Sequence, residues 1–309
     1  MHRPYVRLLF PDADNPAEQL QAEQATIASD RLKITLDVEF AGGDFALQVR
    51  QIYKATRQDV EKPDVVIVMP VQEAALKTLS ESTVASGIGW VFLNRSAGNV
   101  PALRQLKPGI PVSLVTPDQK EIGRIHARQL RRLFPEGANI LYVQGRVTTS
   151  SAEARHAGLR EALASPGPKI EVVSALDGNW SAKDTQATLV RWLQLMLPAK
   201  LRVDAIVCQS DFMAMGAIEA LKVMADKMGN PALRSLPVIG CDGMTSVGKK
   251  LVDEGRLSAT VVVPTTADKA LELVVQAHRE NREMAPEVHL PPRGYPDDAT
   301  LIRRNRQTA

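Results

Sequence analysis

The sequence predicts an α/β protein built as two doubly wound parallel-sheet lobes. Three observations predict it. Short apolar strand-like runs alternate with helical segments along most of the 309-residue chain. The runs number about ten, more than one compact sheet ordinarily holds. The alternation also breaks and restarts near Asp118. Strand–helix–strand units cross over right-handed, so each half closes into its own helix-covered sheet.

Residues 6–10 are the first strand, 12–16 a turn and 17–29 a helix. Residues 34–40 alternate apolar and polar, the mark of a half-buried strand. Gly42-Gly43 breaks it, and 45–57 is helical with Leu47, Ile52 and Ala55 inward. The run DVVIVM (64–69) lies between Pro63 and Pro70 and reads as a strand buried on both faces. A helix over 72–86 ends at Gly87, and strands follow at 90–93 and 111–115. Pro117-Asp118 leads into a helix over 119–134. The second series has strands at 139–144, 170–175, 204–208, 236–241 and 257–263. Its helices are 152–164, 183–197, 211–221 and 245–254, and a further helix spans 266–281. Trp192 reads as packing, and Asp211 stands where a helix N-cap belongs. From Met284 the tail has little pattern and several prolines. The expected lobes are 1–117 plus 264–291 and 118–263 plus 292–309.

Apolar residues are 44%, charged residues 24% and the formal charge is +3, the balance of a globular protein. The only basic cluster is Arg303, Arg304 and Arg306 near the end, so no nucleic-acid partner is expected. No window reaches 18 apolar residues, so no membrane insertion is expected. MHRPYVRLLF lacks the layout of a secretory leader. With Met1 as the native start the protein is expected in the cytoplasm; with a leader removed ahead of it, in the periplasm. Cys208 and Cys241 lie in apolar runs and read as small hydrophobes.

There is no GxxxxGK[ST] loop, GxSxG elbow, HExxH or paired CxxC. His2, His126, His156, His278 and His289 show no metal-ligand spacing and are expected on surfaces or loops. No catalytic residue, metal or cofactor is therefore assigned. What stands out is polar residues at the carboxyl ends of strands, where open α/β sheets bind ligands. They are Asp12, Asp14 and Asn15 after the first strand, Asn94 and Arg95 after WVFL, Ser210 and Asp211 after AIVCQ, and Asp242 after VIGC. Arg155 opens the helix after ILYVQ, and Trp180 closes the turn DGNW.

The stretch VDAIVCQSDFMAMGAIEAL, then LPVIGCDG, then EGRLSATVVVP resembles the ligand-binding module of type I periplasmic binding proteins. That module is shared by ribose-binding-type proteins and lac-repressor-type regulators. GIGWVFLNR, RIHARQL and ARHAGL are similar to further motifs of the family, so the resemblance runs from about Val6 to Val263. It implies two lobes joined by a three-stranded hinge, with a ligand cleft between them. It also implies roles. Arg155 and Arg95 would donate to ligand oxygens, Asp242 would accept from hydroxyls, and Ser210 or Asp211 would line the cleft, Ser210 the more directly. Trp180 would stack on a sugar face, and Asn15 and Asn94 would contribute from the first lobe.

Most departures touch the first lobe. Ala17 and Glu18 stand where ribose-type binders carry two aromatics, Asn94 replaces an Asp, Met69-Pro70 replaces Asn-Pro, and Val263 replaces a Gln. The resulting expectation is non-enzymatic binding of a sugar or sugar derivative, with closure read by a membrane permease or a signalling protein. An importer's binding component is one alternative. A sugar-acid or sugar-phosphate binder is another, and an enzyme using Asp242 or Asp211 as general base is a third.

Overall fold

The computed structural model describes residues 3–57, 61–196, 199, 201–280 and 282–308, with side chains through Arg303. Met1, His2, Leu197 and Asn281 lie outside the described residues, as do the side chains of Arg304 and Arg306. The chain divides into two compact units, Met1–Pro117 with Thr265–Leu290, and Asp118–Pro264 with Pro291–Ala309.

The first series is β1 (Tyr5–Phe10), α1 (Pro16–Leu32), β2 (Thr35–Phe40), α2 (Phe45–Thr56) and β3 (Val65–Val68). It continues with α3 (Leu76–Ala85), β4 (Gly89–Leu93), α4 (Val100–Leu106) and β5 (Val112–Pro117). The second unit begins with α5 (Gln119–Leu133), β6 (Ala138–Gln144), α6 (Ser150–Leu163), β7 (Ile170–Asp177) and α7 (Ala182–Met196). There follow β8 (Ala205–Cys208), α8 (Asp211–Met228), β9 (Val238–Ile239), α9 (Lys250–Asp253) and β10 (Thr260–Val262). The chain returns to the first unit for α10 (Ala267–Glu280) and β11 (Glu287–Leu290), and ends in the second with β12 (Arg293–Tyr295) and α11 (Asp298–Thr308).

The first unit's sheet has the order β11-β5-β4-β3-β1-β2 with every pair parallel. All four residues of β3 are buried because both faces of the sheet are covered. Val65 and Ile67 pack with Val6, Leu8, Leu93, α1 and α10 on one face. Val66 and Val68 pack with Trp90, Phe92, α2 and α3 on the other. The second unit's sheet has the order β7-β6-β8-β9, again parallel. Bridges Ile239↔Ala259 and Asp242↔Val262 hold β10 beside it, and β12 pairs antiparallel with β10. In each unit the strand order reverses beside the first strand, at β1/β3 and at β6/β8. The carboxyl ends flanking such a reversal are where this architecture leaves a crevice.

Several expected elements differ. The tail carries β11, β12 and α11. β11 is an edge strand with only Val288 and Leu290 partly buried, and Pro286 and Pro291 bracket it instead of breaking it. The helix expected over 245–254 is a π-type turn, Thr245–Lys249, followed by the short α9. The strand expected over 257–263 shrinks to Thr260–Val262. The helix expected from residue 72 begins at Leu76, and α4, which carries Pro101 in its first turn, has no counterpart in the sequence reading.

Candidate ligand-binding site

In the second unit the switch-point strands β6 and β8 end at Gln144 and Cys208, and the chain there is packed with polar groups. Arg155 projects from the second turn of α6 and is buried. Its Nε donates to Oε1 of Gln119 at 2.8 Å. Its Nη1 donates to the carbonyl of Gln209 and lies 3.6 Å from Sγ of Cys241. Nη2 makes no hydrogen bond among the described residues. The guanidinium sits 5.3 Å from the ring centroid of Trp180, a cation–π distance.

Trp180 and Asn179 both hold left-handed backbone, φ 58° and 52°, at the carboxyl end of β7. That turn swings the indole against Gly145, where any Cβ would overlap the ring. Gln209 braces the same corner. Its Nε2 donates to the Tyr142 hydroxyl and the Ala152 carbonyl, both at 2.9 Å, and its Oε1 accepts from the Gly145 N–H at 3.0 Å.

Ser210, expected to face the ligand, instead takes the capping role expected of Asp211. Ser210 is the N-cap of α8, extended at φ −149°, and its side chain accepts from the Met213 N–H at 3.1 Å. Asp211 is the first helical residue and is turned inward, 1% exposed. Its Oδ2 accepts from the Gly243 N–H and its Oδ1 from the Thr260 hydroxyl, each at 2.7 Å. Its own N–H donates to the Cys241 carbonyl. Cβ atoms at Gly240 or Gly248 would overlap the carboxyl group, so two glycines make its socket. One carboxyl thus ties α8, β10 and the turn around Asp242 together.

Asp242, partly buried, takes φ 112°, a conformation that costs a non-glycine residue about 1–3 kcal/mol and occurs where a site demands it. Desolvation pushes its carboxyl up to about 7, against the opposing pull of the Arg155 charge. Burial first, and the Asp242 charge second, hold Asp211 well above the ordinary carboxylate range. Desolvation keeps His126 neutral by lowering it to about 4. This histidine is fully buried on α5, 3.0 Å from the Gly240 carbonyl, not on the surface as its sequence position suggested. Cys208 and Cys241 are free and buried.

A carboxyl group raised in the folded state favours folding at low pH. The contribution of Asp242 is complete below its unfolded value near 3.8 and is lost as pH rises through about 7. Asp242→Asn should therefore flatten the decline in melting temperature between pH 5 and 7.5, measured by calorimetry. An unchanged slope would remove Asp242 as the titrating group.

The first unit's edge is built from its own residues. Asn15 caps α1, its Oδ1 accepting from the Ala17 N–H at 3.0 Å. Glu18, standing where ribose-type binders are aromatic, is buried and accepts from the Asp12 N–H at 2.8 Å. Asn94 has φ 61°, and its side-chain amide lies 2.8 Å from the Thr266 hydroxyl oxygen. Gln21 of α1 accepts from the same hydroxyl at 2.7 Å and caps α10 through the N–H groups of Thr266 and Ala267. Arg95 is buried, with Nη1 donating to the Pro70 carbonyl at 2.8 Å.

The structure therefore gathers Arg155, Trp180, Ser210, Asp211 and Asp242 at one edge of the second unit, and Asn15, Asn94 and Arg95 at the corresponding edge of the first. Gln119, Gln209 and Thr260 belong to the second cluster and escaped the sequence reading. Only Gln209 carried a signal, as the polar residue directly after switch-point strand β8.

A family model described as "Periplasmic binding protein domain" matches residues 6–279. The chain is 28% identical over 210 residues to a D-ribose/D-allose-binding protein of Pseudomonas aeruginosa, covering 68% of this chain and 61% of that one. It is 28% identical over 206 residues to a ribose import binding protein of Escherichia coli, covering 63% and 65%. It thus spans less than two thirds of the length of either relative. Among solved structures, the Caulobacter myo-inositol binding protein bound to myo-inositol matches with a TM-score of 0.80 at 22% identity, covering 98% of this chain and 97% of that one. That likeness concerns the fold.

Proposed function

The chain belongs to the periplasmic binding protein domain family, and from that premise we propose that it binds a small neutral polyhydroxylated ligand, a sugar or cyclitol, without transforming it. The observation that carries this reading is the combination around Arg155. One free guanidinium nitrogen, one partly buried carboxyl at Asp242 and one indole face at Trp180 offer a donor, an acceptor and an apolar surface together. A sugar needs all three, because buried hydroxyls must be paired and its C–H face must be covered.

A sugar acid or phosphate is the weaker reading. Bidentate capture of an anion takes two guanidinium nitrogens side by side. Here Nε and Nη1 are already committed to Gln119 and Gln209. Asp242 would also repel the anion once ionised. The relatives named for ribose import support a role as the substrate-binding component of an importer, delivering ligand to a membrane permease in the periplasm. No helix among the described residues is long and apolar enough to cross a membrane.

A thermal-shift screen with D-ribose, D-allose, xylitol and myo-inositol tests the proposal. A ligand at a hundred times its Kd stabilises the fold by about 2.7 kcal/mol, several degrees for units of this size. At least one polyol should raise the melting temperature by that amount. A flat response to all of them would overturn the reading.

A further inference from the structure

Resting on that reading, we infer that Gln119 is a positioning residue. By taking the Arg155 Nε–H it fixes the rotation of the guanidinium, so that Nη2 alone is presented to the ligand. The geometry is specific. A guanidinium has three nitrogens in one plane, and pinning two of them leaves no rotational freedom. The Gln209 carbonyl holds Nη1, but a single bond leaves the group free to swing about it. The 2.8 Å bond from Nε to Gln119 removes that freedom. The two residues stand on helices that meet backbone to backbone. Cβ atoms at Gly123 and Gly158 would strike Arg155 and Lys120 main-chain atoms of the facing helix. The anchor therefore does not drift relative to the arginine. Gln119 follows the α5 N-cap, Asp118, whose carboxylate accepts from the Glu121 N–H at 2.9 Å. The pin is thus set on an element already capped.

An amide suits this role better than a carboxylate would. Its oxygen accepts from Nε without neutralising the guanidinium, so the positive charge remains available at Nη2. Arg155 then keeps its full attraction for a hydroxyl oxygen and its pull on the nearby Asp242 carboxyl.

The test is a double-mutant cycle read by calorimetry with D-ribose and myo-inositol, together with a readout that needs no ligand. Gln119→Ala should weaken binding at least tenfold with the fold intact by circular dichroism. Gln119→Glu, which keeps an acceptor for Nε, should return affinity to within about threefold of wild type. In an Arg155→Lys background, which has no Nε, Gln119→Ala should change affinity by less than twofold, because coupled residues lose additivity. By NMR without ligand, the Arg155 Nε–H should exchange with water at least tenfold faster in Gln119→Ala than in wild type. Equal affinity of Gln119→Ala and wild type would overturn the inference. So would an equal loss in the Arg155→Lys background, or an Nε–H that exchanges freely in wild type. If wild type binds neither of these two, the polyol that the thermal-shift screen returns takes their place; if it returns none, the ligand reading falls, and the exchange rates alone decide the Gln119 contact.

Discussion

Arg155→Ala should weaken polyol binding by at least a hundredfold while the second unit stays folded. Charge-assisted hydrogen bonds contribute about 1.5–3 kcal/mol each, and a ligand hydroxyl left unpaired adds its own desolvation penalty. The indole of Trp180 also loses the cation at 5.3 Å that helps hold it. The fold should suffer less. The Gln209 carbonyl and the Gln119 amide lose a donor, but the removed side chain leaves polar space that water can fill. One further sign follows. The arginine opposes the upward push on Asp242, so its loss should move that carboxyl above about 7 and carry the pH-dependent fall in stability to higher pH. Calorimetric titration and pH-resolved melting read both effects. Binding within about 1 kcal/mol of wild type, less than one charged hydrogen bond supplies, would contradict the assignment.

Asp211→Ala carries the second large effect, on stability. Removing the carboxyl strands the Gly243 N–H and the Thr260 hydroxyl in a region closed to solvent, and empties a socket shaped by Gly240 and Gly248. Each stranded buried polar group costs about 1–3 kcal/mol, so a total loss of roughly 2–5 kcal/mol is expected. Asp211→Asn is the sharper comparison. Burial and the Asp242 charge favour the protonated carboxyl, which an amide imitates in shape and charge. Asn should keep an oxygen for Gly243 and turn its amino group toward the Thr260 hydroxyl. Its stability at neutral pH should stay within about 1 kcal/mol of wild type. Denaturant melts of both variants check this. An asparagine variant as unstable as the alanine one would mean that Asp211 acts as a buried anion.

These expectations show where sequence stops being legible. The parallel sheets were readable because VVIV and WVFL are apolar on both faces, a pattern that only a doubly covered strand requires. The cluster around Arg155 was readable because the fold puts every strand's carboxyl end on one edge, so that Trp180 and Asp242 follow by position. Which of two adjacent polar residues caps α8 was not readable. Serine and aspartate cap equally well, and only the entry of the backbone into the helix at Asp211 decides for Ser210. Gln119 was invisible for a different reason, and Gln209 showed only its place after a strand, not its partner. A glutamine has no charge and no characteristic spacing, and its contact with Arg155 spans 36 positions in one case and 54 in the other. The tail misled because proline marks both loops and the ends of edge strands, as it does around β11.

The Arg155–Asp242–Trp180 corner is expected to receive a neutral polyol and not an anion. Parallel calorimetric titrations of D-ribose against D-ribonate, and of myo-inositol against its 1-phosphate, test it most directly. The neutral member of at least one pair should bind, and bind at least tenfold more tightly than its acidic counterpart. Tighter binding of ribonate or of the phosphate would contradict it.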